Sequence, residues 1–142
     1  MLVFLRNIFA VIIGLVVGSF LNMTVINLGY EIFPLPHGLD VNTEEGFKNA
    51  ITYFKFENYI FPFLAHALGT LIGSLICTLL SKNYKLTFSL IIGFIFLAGG
   101  IYMVSIVESP LAFTLIDLIL SYIPMAFLGH YIGNIIIKKT RK

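Results

Sequence analysis

The sequence predicts an all-α protein, a four-helix transmembrane bundle with both termini on one side of the membrane and a long loop on the other. Three observations predict it. Of the 142 residues, 58% are hydrophobic and only 11% are charged, too apolar for a soluble globule. Uncharged runs from Asn7 to Tyr30, Asn58 to Ser81 and Leu86 to Val107 each exceed the roughly 20 residues a helix needs to cross a hydrocarbon core of about 30 Å. A fourth run, Ala112 to Ile137, is interrupted only by Asp117. Residues 1–142 are therefore expected to form a single transmembrane domain in a lipid bilayer, with helices over 7–30, 58–81, 86–107 and 112–137.

Arg6 ahead of an apolar run gives the first helix the look of a signal peptide. The run is longer than an h-region and lacks a small-x-small cleavage site before charge returns, so it is expected to stay in the mature protein. The loop that follows, 31–57, opens with "IFPLPHGLD", where Pro34 and Pro36 hold the preceding residues out of helix. Its second half reads as a short amphipathic helix. Asn42 and Glu45 have capping-box spacing, and Phe47, Ala50, Ile51 and Phe54 recur on one face. That face needs cover, and the segment is acidic rather than basic, so it is expected over the outer mouth of the bundle and not on anionic lipid. The short links "SKNYK" and "ESPLA" make the remaining helices antiparallel neighbours. "LGTLIGSLI" from Leu68 and "LGHYIGNII" from Leu128 hint at a duplicated hairpin. The single cysteine, Cys77, excludes an internal disulfide.

Orientation follows from the cations. Arg6, Lys82, Lys85, Lys138, Lys139, Arg141 and Lys142 flank one side, against Lys48 and Lys55 among six acids on the other. The positive-inside rule then places both termini in the cytoplasm. The net charge of +2 is a topology signal, and no basic patch with interleaved aromatics points to nucleic acid.

Lipid gives helices no hydrophobic reason to associate, so small residues that let backbones approach mark the packing seams. Four-residue spacing joins Gly14 to Gly18, Gly129 to Gly133, and Ala65, Gly69, Gly73 and Cys77 in one row. More than one seam per hairpin suggests a surplus beyond internal packing, hence a homo-oligomer or a place in a larger membrane complex.

Polar residues inside the membrane are the candidate site. Counted from the outer helix ends, Asn22, His66 and Asp117 fall at one depth, roughly 10 Å inside the boundary. A carboxylate facing lipid there costs several kcal/mol, so Asp117 is expected to turn inward and meet His66. Pro124 removes a helix hydrogen bond one turn further on, and Ser121 shares the face of Asp117. Asn22, His66, Asp117 and Ser121 together make a candidate outward-facing polar pocket. His130 and Asn134 form a second pair, read as interfacial hydrogen-bonders. His66, Asp117 and loop His37 lack any metal-ligand spacing, so no metal or cofactor is expected.

"GSFLNMTVINL", Gly18 to Leu28, resembles the first helix of prepilin peptidases. Those enzymes use two catalytic aspartates, one in a Gly-x-Gly-Asp motif, whereas the only membrane aspartate here, Asp117, follows "TLI", so their catalytic residues do not carry over. P-loop, His-Glu-x-x-His and Gly-x-Ser-x-Gly motifs are missing too. Asn22-Met23, "PLPHGLD", "IFPFLAHALGTLIG", "SPLAF" and "DLILSYIPMAFLG" together resemble a group of small bacterial four-helix membrane proteins without an assigned activity. That resemblance implies a bacterial inner membrane and the same bundle. The expected function is a non-enzymatic, self-associating or accessory membrane subunit. The alternative is a small-solute or proton-coupled transporter or channel subunit working through the polar pocket.

Overall fold

The computed structural model describes residues 1–35, 41 and 43–140. Among them are six helices and no strand: α1 (Leu2–Ile32), α2 (Glu44–Ile51), α3 (Phe56–Leu80), α4 (Lys85–Ile106), α5 (Leu111–Leu120) and α6 (Ile123–Thr140). α1, α3, α4 and the combined stretch Leu111–Thr140 are long and apolar enough to cross a membrane, the make-up of a multi-pass membrane protein. The distribution of side chains agrees. Phe4, Phe20, Phe94, Ile119 and Tyr131 are exposed, while the interior is filled with Ala, Gly, Ser and Thr. Water would not tolerate such an apolar exterior, and hydrocarbon would.

α3 is the central helix, packing on α1, α4 and α6. Two adjacent rows of four-residue spacing explain why. Ala65, Gly69, Gly73 and Cys77 form the row that meets α1, where a Cβ on Gly14 would lie 2.6 Å from the Gly73 carbonyl oxygen and a Cβ on Gly18 2.6 Å from that of Gly69. The backbones therefore touch, as they do in small-xxx-small crossings. Thr70, Ser74 and Thr78 form the second row, all wholly buried. They continue the line of His66.

The glycines of the last helix are also internal. Gly129 faces the α3 backbone at Leu71, and a Cβ on Gly133 would meet Thr78 at 2.8 Å. All six seam glycines are thus taken up within one chain. The seams are explained by packing within the chain, and association with a second copy is a separate question that they do not decide. The two halves of the suspected repeat also differ: Gly69 and Gly73 face glycines of α1, whereas Gly129 and Gly133 face Leu71, Ser74 and Thr78 of α3.

Two corrections concern boundaries. The helix expected over 112–137 is two helices, because the chain breaks at Ser121 and Tyr122 and restarts with Pro124 in the first turn of α6, where a missing N–H costs nothing. α2 is capped by Thr43, whose side chain accepts from the Gly46 N–H at 3.1 Å, one residue later than the expected cap. Pro36, His37, Asp40, Asn42, Arg141 and Lys142 lie outside the described residues.

The end that carries the N-terminus, the 81–84 turn and the end of α6 is tied shut. Arg6 donates to the Leu80 carbonyl at 2.8 Å. Asn7, 3% exposed, accepts from the Lys82 N–H at 2.9 Å and donates to the Asn83 side chain at 2.6 Å. Those bonds hold a turn whose Tyr84 sits at φ 46°, the left-handed region that a non-glycine residue enters only under such constraint. Lys85 donates to the Thr78 carbonyl at 2.7 Å and to that of Ser81, covering acceptors at the end of α3.

Candidate functional site

The opposite end of the bundle is open inside. A cavity of about 610 Å³ lies between α1, α3, α4 and α5. Thr43, which caps α2, and Glu44, Phe47 and Ile51 within it line the outer part of this half-open chamber, so the loop helix roofs part of it. Phe47 is locked there by an edge-on contact with Phe54, ring centroids 6.1 Å apart. Asn58 fixes the start of α3 beneath the roof. Its amide oxygen accepts from the Lys55 N–H at 2.8 Å and its nitrogen donates to the Phe33 carbonyl at 3.3 Å.

Asn22, His66 and Asp117 all line the chamber. The His66 Nδ1 stands 2.9 Å from both carboxylate oxygens of Asp117. The Ser121 hydroxyl donates to Asp117 Oδ1 at 2.9 Å. A fourth residue, absent from the sequence-based set, completes the cluster: the Tyr122 hydroxyl donates to Oδ2 at 3.0 Å, and its ring stacks on that of His66 with centroids 5.7 Å apart. A Cβ on Gly100 would lie 2.5 Å from that hydroxyl, so α4 needs glycine there to admit the phenol. Donors aimed at both oxygens are what a carboxylate satisfies, and Asp117 is only 4% exposed.

The helix break makes this possible. On an unbroken helix Tyr122, five residues beyond Asp117, would point elsewhere. Ser121, four residues on, already shares the face of Asp117, and the turn at Ser121 and Tyr122 brings the Tyr122 hydroxyl onto the carboxylate as well. Asp117 is also the one buried residue of α5, so its bonds are the main attachment of that half-helix to the bundle.

His66 is positioned from both sides. α3 supplies the backbone, and Thr70 donates to the His66 carbonyl at 2.8 Å. With Nδ1 committed to Asp117, the ring is 24% exposed and Nε2 is the nitrogen left to the chamber. Among the described residues neither Nε2 nor the Asn22 side chain has a protein hydrogen-bond partner. The site is thus an imidazole whose tautomer and orientation are set by a carboxylate, with its second nitrogen presented to a partly covered space.

The second pair forms and also reaches inward. His130 accepts from Asn134 at 2.8 Å, as its spacing suggests, but its Nδ1 points inward to Thr78 Oγ1 at 3.2 Å. Thr78 meets Ser89 Oγ at 2.6 Å, and Ser89 donates to the Ser74 carbonyl at 3.2 Å. The hydroxyls therefore end on a backbone acceptor. This network is closed, and it seals the half of the bundle below the chamber. No group of three metal-ligating side chains occurs among the described residues.

Comparison with known proteins adds no relative: no family model, no curated protein and no solved structure matches the chain.

Proposed function

We propose that this chain is a multi-pass protein of a bacterial inner membrane that binds a small ligand from the extracytoplasmic side, with His66 as the group that exchanges a hydrogen bond or proton with it. The observation that carries this reading is the His66–Asp117 pair at the floor of a chamber partly roofed by α2. A network that served only to fix helix register would need neither the free nitrogen nor the space. The orientation rests on Arg6, Lys82, Lys85, Lys138 and Lys139, which lie toward the sealed end and mark it as cytoplasmic. The seam glycines lend a self-associating accessory role no support, since each has a partner inside the chain.

The test uses cysteines placed at Asn27 and Met103, both in the chamber wall. Native Cys77 is buried and stays silent. A membrane-impermeant thiol reagent added to intact spheroplasts should label both positions. Labelling only from the cytoplasmic face, or none after mild detergent, would refute the reading.

A second reading is proton-coupled transport, favoured by the interruption of the last span beside Asp117, since transporters place their sites at such broken helices. It requires a pH-driven proton flux in proteoliposomes that His66→Gln abolishes. Equal rates in the two proteins would reject transport and leave binding.

A further inference from the structure

α5 stands between two spaces. On one side is the chamber; on the other is a largely apolar groove of about 630 Å³ between α3 and α5, lined by Phe56, Ile60, Phe63, Leu64, Ala112 and Ile116, with Lys55 at the N-terminal end of α3. The two share a wall made of Phe54, Tyr59 and Phe113. The Tyr59 and Phe113 rings lie with centroids 4.8 Å apart, and no hydrogen bond ties them to each other. Leu111, Leu115, Ile116 and Ile119 of α5 face outward, so the groove opens to the lipid side of the bundle. α5 is anchored by Asp117, below this wall, and its upper part packs through the half-buried Phe113 and Thr114.

The chamber sorts its ligand by chemistry. Most of its lining is apolar, Asn22, His66 and Asp117 form a polar floor, and Asn27, Tyr30, Thr43, Tyr102 and Ser109 add polar groups higher up. Among the described residues its charged lining is Asp117 and Glu44, the latter paired with Lys48 at 2.7 Å, and no lysine or arginine lines it. An anionic head group would therefore be desolvated beside a carboxylate with no compensating cation. A head that gives a hydrogen bond fits instead, donating to His66 Nε2 and meeting the Asn22 amide.

Building on the reading above, we propose that the ligand is a single-chain amphiphile with a non-anionic, hydrogen-donating head, a hydroxyl or an ammonium. The head sits at His66, and the tail passes the Tyr59–Phe113 wall into the groove between α3 and α5. The groove follows α3 from Phe56 to Leu64, about 12 Å at 1.5 Å per residue, long enough for much of a medium chain. A lipid-facing groove gives such a molecule a sideways path from the bilayer, without opening the α2 roof.

The experiment uses the full chain in nanodiscs and three ten-carbon probes with a photoreactive group near the tail end: monodecanoylglycerol, decylamine and decanoate. The expected result is crosslinking at Phe63, Leu64 or Ile116 by the glycerol ester or the amine, competed by the same unlabelled molecule and weaker for decanoate. Apparent affinity should fall about tenfold in His66→Gln, the weight of one hydrogen bond. It should also fall in Ala112→Trp, which fills the groove without touching the dyad. Circular dichroism and elution volume check that each variant folds. Groove crosslinks indifferent to His66→Gln, or equal for all three heads, would mean ordinary bilayer lipid and overturn the proposal. Glycerol or ethanolamine alone protecting the Asn27 and Met103 cysteines as well as the amphiphile does would also overturn it, while the binding site itself stands. Failure of those cysteines to label from outside defeats the underlying reading instead.

Discussion

Substituting Gly69 by alanine tests whether the small-residue row of α3 is an internal seam. Its Cβ would lie 2.8 Å from the Gly18 carbonyl oxygen and 3.1 Å from the Asn22 Cβ. Ordinary contact begins near 3.4 Å, so α1 must retreat by about 0.6 Å at this level. A radial gap of that size forfeits roughly a quarter to a half of each dispersion contact it opens, and overpacking of this kind costs about 1–3 kcal/mol. Gly18→Ala, at 2.6 Å from the Gly69 carbonyl, demands more movement and should cost at least as much. The double variant should cost less than the sum, because one retreat of α1 serves both methyl groups. Gly99 is the control: a Cβ there meets nothing within 4 Å, so Gly99→Ala should be neutral or stabilising by up to about 1 kcal/mol. Unfolding in mixed micelles titrated with SDS measures all four, with multi-angle light scattering for mass. If Gly69→Ala leaves unfolding unchanged but alters the oligomeric mass, the seam lies between chains and the reasoning fails.

Tyr122→Phe removes a donor to a buried carboxylate and should cost about 1–3 kcal/mol in the same titration, whereas a phenol hydroxyl with no role in the site would leave the midpoint where it was. In the sealed half, Ser89→Ala breaks the link from Thr78 to the Ser74 carbonyl. A loss of about 0.6–1.7 kcal/mol is expected, with chamber labelling unaltered, and changed labelling would contradict the separation of the two networks. Thr43→Ala uncaps α2 at a cost of about 1 kcal/mol to that helix. Hydrogen exchange should speed up over 44–51 and not in α3; uniform acceleration would show that the roof is not an independent element.

The large features were legible because they rest on bulk physics. Uncharged length sets the spans: α1 exceeds the expected 7–30 at both ends, while α3 starts two residues before the expected 58 and stops one short of 81. The meeting of His66 and Asp117 was legible for the same reason: at that depth a carboxylate must turn inward, and His66 is the titratable group at its level. Tyr122 was not, because five-residue spacing puts it off the face of Asp117 until the helix breaks. The signal lay in Pro124, which ends one helix and starts another as well as deleting a bond. The hydroxyl row Thr70, Ser74 and Thr78 keeps the same spacing as His66 and was visible as a pattern. Apolar glycine rows beside it drew the eye, and only packing distinguishes which row faces α4 and α6. The closing role of Asn7 depends on contact with a turn some 75 residues away, which no local rule encodes.

The central claim is that Asp117 holds the His66 ring by Nδ1 and turns Nε2 to the chamber. Imidazole ¹⁵N NMR of His66 in lipid, compared between the native chain and Asp117→Asn, tests it most directly. The account predicts a neutral ring protonated at Nδ1 in the native chain, changing when the carboxylate is lost, and a doubly protonated ring would overturn the proposed hydrogen-donating head. A ring protonated only at Nε2, or a spectrum indifferent to residue 117, would contradict it.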